Sequence, residues 1–192
     1  ALQTSITAIG SVILQASVNS LGSTVVASIT AGSRLYMFFA CAYDAMGVTM
    51  STYSGQNIGA RKIDRIGQGV KACNIVGIIY SVLALLIIVF LGKWMLLLFV
   101  DAGETAIINS AYWYLVCSGL FMIPLTFVNV LRLTIQGMGY SLFAILAGVF
   151  EMVARSVMGF GFVPKFGFLA VCFASPLAWL MADLFLIPAY AL

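Results

Sequence analysis

Polar residues are sparse along this chain and cluster at intervals. Long apolar runs occupy residues 2–21, 25–53, 70–92, 106–136, 142–163 and 168–189. A helix needs about 20 such residues to cross a bilayer core about 30 Å thick. Strands of a membrane barrel would show shorter segments of alternating polarity. These runs are continuous, so they predict six transmembrane helices. The connectors are brief and rich in turn residues: Gly22-Ser23, then Gly137 to Ser141, then Pro164 to Gly167. Connections this short make successive helices antiparallel neighbours. The expected fold class is an all-α membrane protein, a bundle of six antiparallel spans forming one lobe over residues 1–192.

The connector after the third run differs. Residues 93–100 are apolar yet follow a complete span, so they are expected to lie in the interface, with Trp94 at headgroup level. Asp101 and Glu104 have the spacing of a capping box for the fourth helix, whose N-terminal dipole they would also complement. Pro124 and Pro176 fall inside runs and are expected to kink them.

Composition supports the membrane reading. Apolar residues make up 63% of the 192 and charged residues 8%, against roughly 45–50% and about 25% in soluble domains. A soluble fold of this length has nowhere to hide so much apolar surface. The net charge of +3 is spread thinly, and no basic block marks a nucleic-acid surface. The absence of histidine removes His-activated nucleophiles, His-ligated zinc and His proton relays. No phosphate-cradling loop is present, and the carboxylates lack metal-site spacing, so neither ATP chemistry nor enzymatic catalysis is expected. Cys41, Cys73, Cys117 and Cys172 are scattered through apolar runs and read as small core hydrophobes. The chain opens at Ala1 inside an apolar run with no charged leader or cleavage site, which is not a signal peptide and suggests a piece of a longer protein.

Cations set the orientation. Arg61, Lys62, Arg65 and Lys71, with Arg132 near the end of the fourth run, fall on one side; Lys93 and Lys165 fall on the other. The positive-inside rule therefore places the 55–69 connector in the cytoplasm, and six spans place both ends there too.

Ionisable groups within apolar spans cost at least about 2.5–3.5 kcal/mol each on insertion scales, so they are functional candidates by default. Glu151 and Arg155 are one helical turn apart in the favourable order and read as a self-contained pair, or as a switch in which a cation competes with Arg155 for Glu151. Arg34 and Asp44 share a span but point to different faces; each is expected to meet the bundle or a wet cavity, with Asp44 beside Tyr43 a candidate cation acceptor. Asp183 is expected to snorkel or cap. Thr4, Ser11, Gln15 and Asn19 form one polar stripe, and Thr126, Asn129, Arg132 and Gln136 another. Either stripe serves as interhelical glue or wets a cavity. Gln15, Asn19, Tyr36, Tyr43, Asn129 and Arg132 are the polar cavity candidates.

Several segments also carry a resemblance, in order. LQTSITAIGSVILQASVNSLG runs into VVASITAGSRL, with Asn19, Gly22, Val26 and Ala27 at motif positions. SGQNIGARKIDR presents Gly55, Gln56, Asn57, Gly59, Ala60 and Arg65. LLLFVDAGETAIINSAYWYL, IQGMGYS (with Gln136 where Arg is usual), EMVARSVMGF and SPLAWL follow. Together they resemble the C-terminal six-helix lobe of the multidrug and toxic compound extrusion (MATE) transporters. The resemblance implies one lobe of a two-lobe, twelve-helix carrier whose ligand cavity lies between the lobes. It implies export of small, often cationic compounds by antiport against sodium or protons, without a cofactor, in the plasma membrane. The implied partners are the lipid bilayer, an N-terminal six-helix lobe of the same protein and small-molecule substrates. One branch of that family binds its coupling cation with acids on the seventh and tenth helices. The equivalent helices here carry none, which leaves the coupling site to other acids of this lobe or to the other half. Two alternatives keep a membrane bundle: a flippase of lipid-linked sugars from the same superfamily, and a vitamin-binding subunit served by a separate ATPase.

Overall fold

A computed structural model describes residues 2–191, with side chains from Thr4 onward; Ala1, where the sequence opens, lies outside the described residues. The elements are α1 (Leu2–Asn19), α2 (Ser23–Gly59), α3 (Ile63–Leu96), α4 (Thr105–Leu120), α5 (Met122–Gly137), α6 (Ser141–Val157), a π-helical turn (Met158–Phe162), α7 (Val163–Phe166) and α8 (Phe168–Ala191). No strand occurs among the described residues. Four helical stretches are long and apolar enough to span a membrane: α2, α3, Ser141–Phe166 and α8; α4 and α5 together make a fifth, bent by 53°. The remaining rod, α1, has 18 residues but is interrupted by too many polar positions to meet the same test.

The bend in the fourth predicted span sits where the chemistry demands it. Pro124 has no N–H, and its ring excludes the carbonyl four residues back, that of Leu120. Leu120 is the last residue of α4, and the helix restarts at Met122. Pro176 and Pro188 lie within α8, which continues past both, so neither ends the helix as Pro124 ends α4. The fifth predicted span is a composite of α6, the π turn and α7.

The polar connector is much shorter than residues 55–69. Gly55, Gln56, Asn57 and Gly59 form the last turns of α2, and only Ala60, Arg61 and Lys62 are non-helical. The Lys62 amide donates to the Asn57 carbonyl at 2.8 Å and the Arg61 amide to Ile58 at 2.9 Å. That is the reversal in which the helix's last carbonyls are satisfied by a residue in the left-handed region. Here the residue is Arg61, with φ of 57°. Asn57 is buried and its amide donates to the Tyr53 carbonyl, while the Tyr53 hydroxyl donates to the carbonyl of Arg65 on α3. The motif is thus a structural hairpin tip. With 37 and 34 residues, α2 and α3 run about 50–55 Å, well beyond the hydrocarbon thickness.

Two expectations for the third connector fail. Helix α3 absorbs residues 93–96, so only residues 97–100 form a turn. Trp94 is exposed on the end of α3 rather than on a separate interfacial segment. Glu104, the cap residue of α4, makes no side-chain capping bond. The turn closes through the backbone instead, the Glu104 amide donating to the Asp101 carbonyl at 3.0 Å.

The core forms in two parts. The larger gathers Leu35, Tyr43, Ile88, Leu115, Met122 and Leu186 from α2, α3, α4, α5 and α8. The smaller joins Val18, Tyr114, Val163 and Val171 from α1, α4, α7 and α8. Helix α3 packs on α2, α4 and α5 and turns Ile75, Ile79, Leu83, Leu86 and Phe90 outward, as a lipid-facing rod does. Helix α1 lies against α6 so closely at Gly10 that an added Cβ would stand 3.0 Å from the Met152 Cα. Contact between α1 and α2 is slight, and the lobe opens there.

Candidate functional site

The opening between α1 and α2 leads into a cleft of about 660 Å³. Helices α5, α6 and α8 line its depth, and α1, α2 and Tyr114 of α4 its sides; α3 takes no part. The lining mixes polar side chains with apolar ones such as Leu14, Val128 and Val171.

A charge cluster sits in the wall. Arg132 on α5 donates through Nη2 to Glu151 Oε1 on α6, and Arg155 Nη2 lies 3.5 Å from Glu151 Oε2. Arg155 Nη1 also reaches Ser11 Oγ on α1 at 3.4 Å. Glu151 is 3% exposed, Arg132 8% and Arg155 9%. The predicted self-contained pair of Glu151 with Arg155 is therefore corrected. Glu151 is held by two arginines from two helices, and Arg132 makes the closer contact. Arg132 is accordingly paired inside the bundle rather than free at a helix end, so the orientation expected from the cations rests on the other four of the five counted.

Two arginines and one glutamate leave an excess positive charge in low dielectric. Asp183 on α8, the helix that packs on both α5 and α6, is a further buried acid, 7% exposed. Its Oδ1 has no hydrogen-bond partner, and neither does Arg132 Nε. The expected snorkelling or capping role for Asp183 does not hold, because the side chain is enclosed between helices.

Aromatic rings complete the cleft. Tyr36 stacks on Trp179 with centroids 5.9 Å apart and planes 18° from parallel. Ser33 Oγ lies 3.5 Å from the Tyr114 hydroxyl. Asp44 is exposed to the cleft and makes no ion pair among the described residues. No group of three or more metal-type side chains converges among the described residues.

The family model MatE matches residues 1–161, from α1 into the π turn. The chain belongs to the MATE family. Among solved structures it is similar to an outward-facing multidrug resistance MATE transporter of the MOP superfamily, with a TM-score of 0.83 at 20% identity over 96% of this chain and 41% of that one. It is similar also to an inward-facing multidrug resistance MATE transporter, with a TM-score of 0.81 at 19% identity over 97% of this chain and 44% of that one. A third is a MOP superfamily transporter from Pyrococcus furiosus, for which a binding pocket of reverse polarity suggests a different function; there the TM-score is 0.83 at 20% identity over 96% and 41%. The chain thus spans about two fifths of the length of these transporters. At such identity the likeness is one of fold. No curated protein matches the chain.

Within this MATE fold the sequence-derived candidates separate cleanly. Gln15, Tyr36, Asp44, Asn129, Arg132, Glu151 and Arg155 all line the cleft. Tyr43 does not: it is wholly buried, turned toward α3, and its hydroxyl pairs with Ser81 Oγ at 2.9 Å. Asn19 accepts from the Gln15 amide at 3.0 Å but lies outside the cleft lining. Arg34 lines a second, shallower depression with Asp101 and Glu104. The stripe on α5 divides, because Thr126 hydrogen-bonds Ser81 at 3.2 Å on α3 while Asn129 and Arg132 face the cleft. Sequence reasoning missed Ser33, Tyr114, Ser175 and Trp179, which also line the cleft. Single serines and aromatics in an apolar run carry no periodic signal. The cysteines are free: Cys172 is buried, Cys73 and Cys117 are partly so, and Cys41 is exposed rather than in the core.

Proposed function

We propose that this chain is one lobe of a secondary multidrug exporter, and that its cleft is half of the chamber through which small organic cations leave in exchange for sodium or protons. Glu151 carries the reading: a buried carboxylate, neutralised by two arginines, in the wall of a cleft large enough for a small molecule. Coupled exchange needs a site where two cations compete for one anion. Arg132 and Arg155 are resident competitors, and a proton, a sodium ion or a cationic drug can take their place on Glu151. Asp44 adds an unpaired carboxylate at the mouth, and the Tyr36–Trp179 stack adds a flat apolar face suited to aromatic cations. The cleft's open side between α1 and α2 is where an N-terminal six-helix lobe would close the chamber, consistent with carriers whose site lies at a repeat interface. The plasma membrane is the location such export requires.

Gradient-driven efflux of tetraphenylphosphonium from proteoliposomes tests the reading. Glu151→Gln should abolish coupled efflux at normal protein yield. Undiminished efflux by that variant sinks the assignment. The two arginines are the observation that favours the second reading, a flippase of lipid-linked sugars, since they could meet a pyrophosphate. Translocation of a polyprenyl-pyrophosphate lipid without efflux of the phosphonium would select it.

A further inference from the structure

Arg132 is only partly satisfied where it sits. Its Nη2 donates to Glu151, yet Nε is buried with no partner. Asp183 is in the complementary condition, a buried carboxylate whose Oδ1 accepts nothing. The two belong to α5 and α8, which pack together, and both are buried, yet no ion pair within 4 Å joins them among the described residues. Arg155 needs no such arrangement, because it already has a second partner in Ser11 at 3.4 Å. A buried guanidinium cannot simply leave its carboxylate, since that strands a cation in low dielectric. It can move only to another acid within reach.

We propose that Asp183 is a second seat for the Arg132 guanidinium, so that Arg132 passes from Glu151 to Asp183 and frees Glu151 for an incoming cation. The side chain stays buried and paired in both positions, and the total charge of the cluster is unchanged by the exchange. Asp183 is then a positioning residue: it touches neither cargo nor coupling ion, and acts through Arg132. The proposal rests on the reading of Glu151 as the exchanging carboxylate.

Thermal melting of the full-length protein in detergent tests the two seats without any transport. Glu151→Gln leaves Arg132 the seat at Asp183, and Asp183→Asn leaves it the seat at Glu151, so each single variant should melt only modestly early. The double variant removes both seats. Its loss in Tm should exceed the sum of the single losses by about 5 °C or more. Adding Arg132→Leu, which removes the stranded cation, should recover most of that excess. If the double variant does not fold, the triple variant should. Additive single losses, or a double variant that Arg132→Leu does not rescue, overturn the proposal.

Transport separates an exchanging arginine from a static one. Asp183→Asn should lower kcat for tetraphenylphosphonium efflux by about tenfold or more with KM within about twofold, and Asp183→Glu should restore it. Full kcat in Asp183→Asn overturns the exchange. Normal efflux by Glu151→Gln would instead remove the transport role of Glu151, while the melting cycle still decides where Arg132 can sit.

Discussion

Arg132 shows why a residue's role depends on its neighbours across the bundle. In sequence it belongs to a polar stripe with Asn129 and Gln136, and it reads both as a cavity candidate and as a cation near a helix end. In the fold it is buried against Glu151, 19 residues further on. Truncation should expose the cost. Arg132→Ala leaves Glu151 only the longer contact to Arg155 at 3.5 Å, so we expect a loss of about 3 kcal/mol, the lower end for a broken buried pair. Melting in detergent reads it, and a variant as stable as the parent would show that Arg155 alone suffices. Tyr43 makes the opposite point. Its hydroxyl joins Ser81 at 2.9 Å, and Ser81 also bonds the Gly77 carbonyl at 2.7 Å and Thr126 at 3.2 Å. Tyr43→Phe should therefore cost only about 1 kcal/mol and leave efflux intact. Loss of efflux with unchanged stability would return Tyr43 to the cleft.

At the scale of elements, close approach of helices decides which glycines matter. Helices α2 and α5 make the most extensive pairing in the lobe. A Cβ on Gly137 would run into the Ser51 backbone, which cannot yield as a side-chain tip can. Gly137→Ala should accordingly destabilise by about 2–3 kcal/mol. Gly59, at the end of α2, meets nothing within 4 Å, so Gly59→Ala should be close to neutral. Equal melting shifts for the two would contradict the packing of α2 on α5. The broken fourth span follows the same logic: Pro124 ends α4 because a helical Leu120 carbonyl has no donor and no room. Pro188 and Pro176 end nothing, because α8 is braced on α5 and α6 on either side.

At the scale of the whole molecule, the lobe is asymmetric. Helix α3 presents an apolar flank and contributes nothing to the cleft, whereas the side between α1 and α2 opens onto charged and aromatic groups. One flank therefore suits lipid and the other a second lobe. The hairpin tip at residues 60–62 carries Arg61 and Lys62 next to Arg65, and the positive-inside rule predicts that such a tip faces the cytoplasm. A cysteine at Lys62 should react with a membrane-impermeant maleimide in inside-out vesicles and not in intact cells. Labelling from outside would invert the lobe.

The apolar runs alone specified a helical membrane bundle, because only helices and closed barrels satisfy their own hydrogen bonds in hydrocarbon, and the long continuous runs exclude barrel strands. The turn residues placed the reversals, and the ordered motifs pointed to the MATE family. Local chemistry acts between residues a few positions apart, so it was legible in one dimension. The cluster of Arg132, Glu151, Arg155 and Asp183 was not, since its members come from α5, α6 and α8 and meet only when those helices pack. Periodicity tells which residues share a face of one helix. Which faces meet is set by glycine contacts, a proline bend and side-chain volume summed over the bundle, and tertiary structure alone decided that.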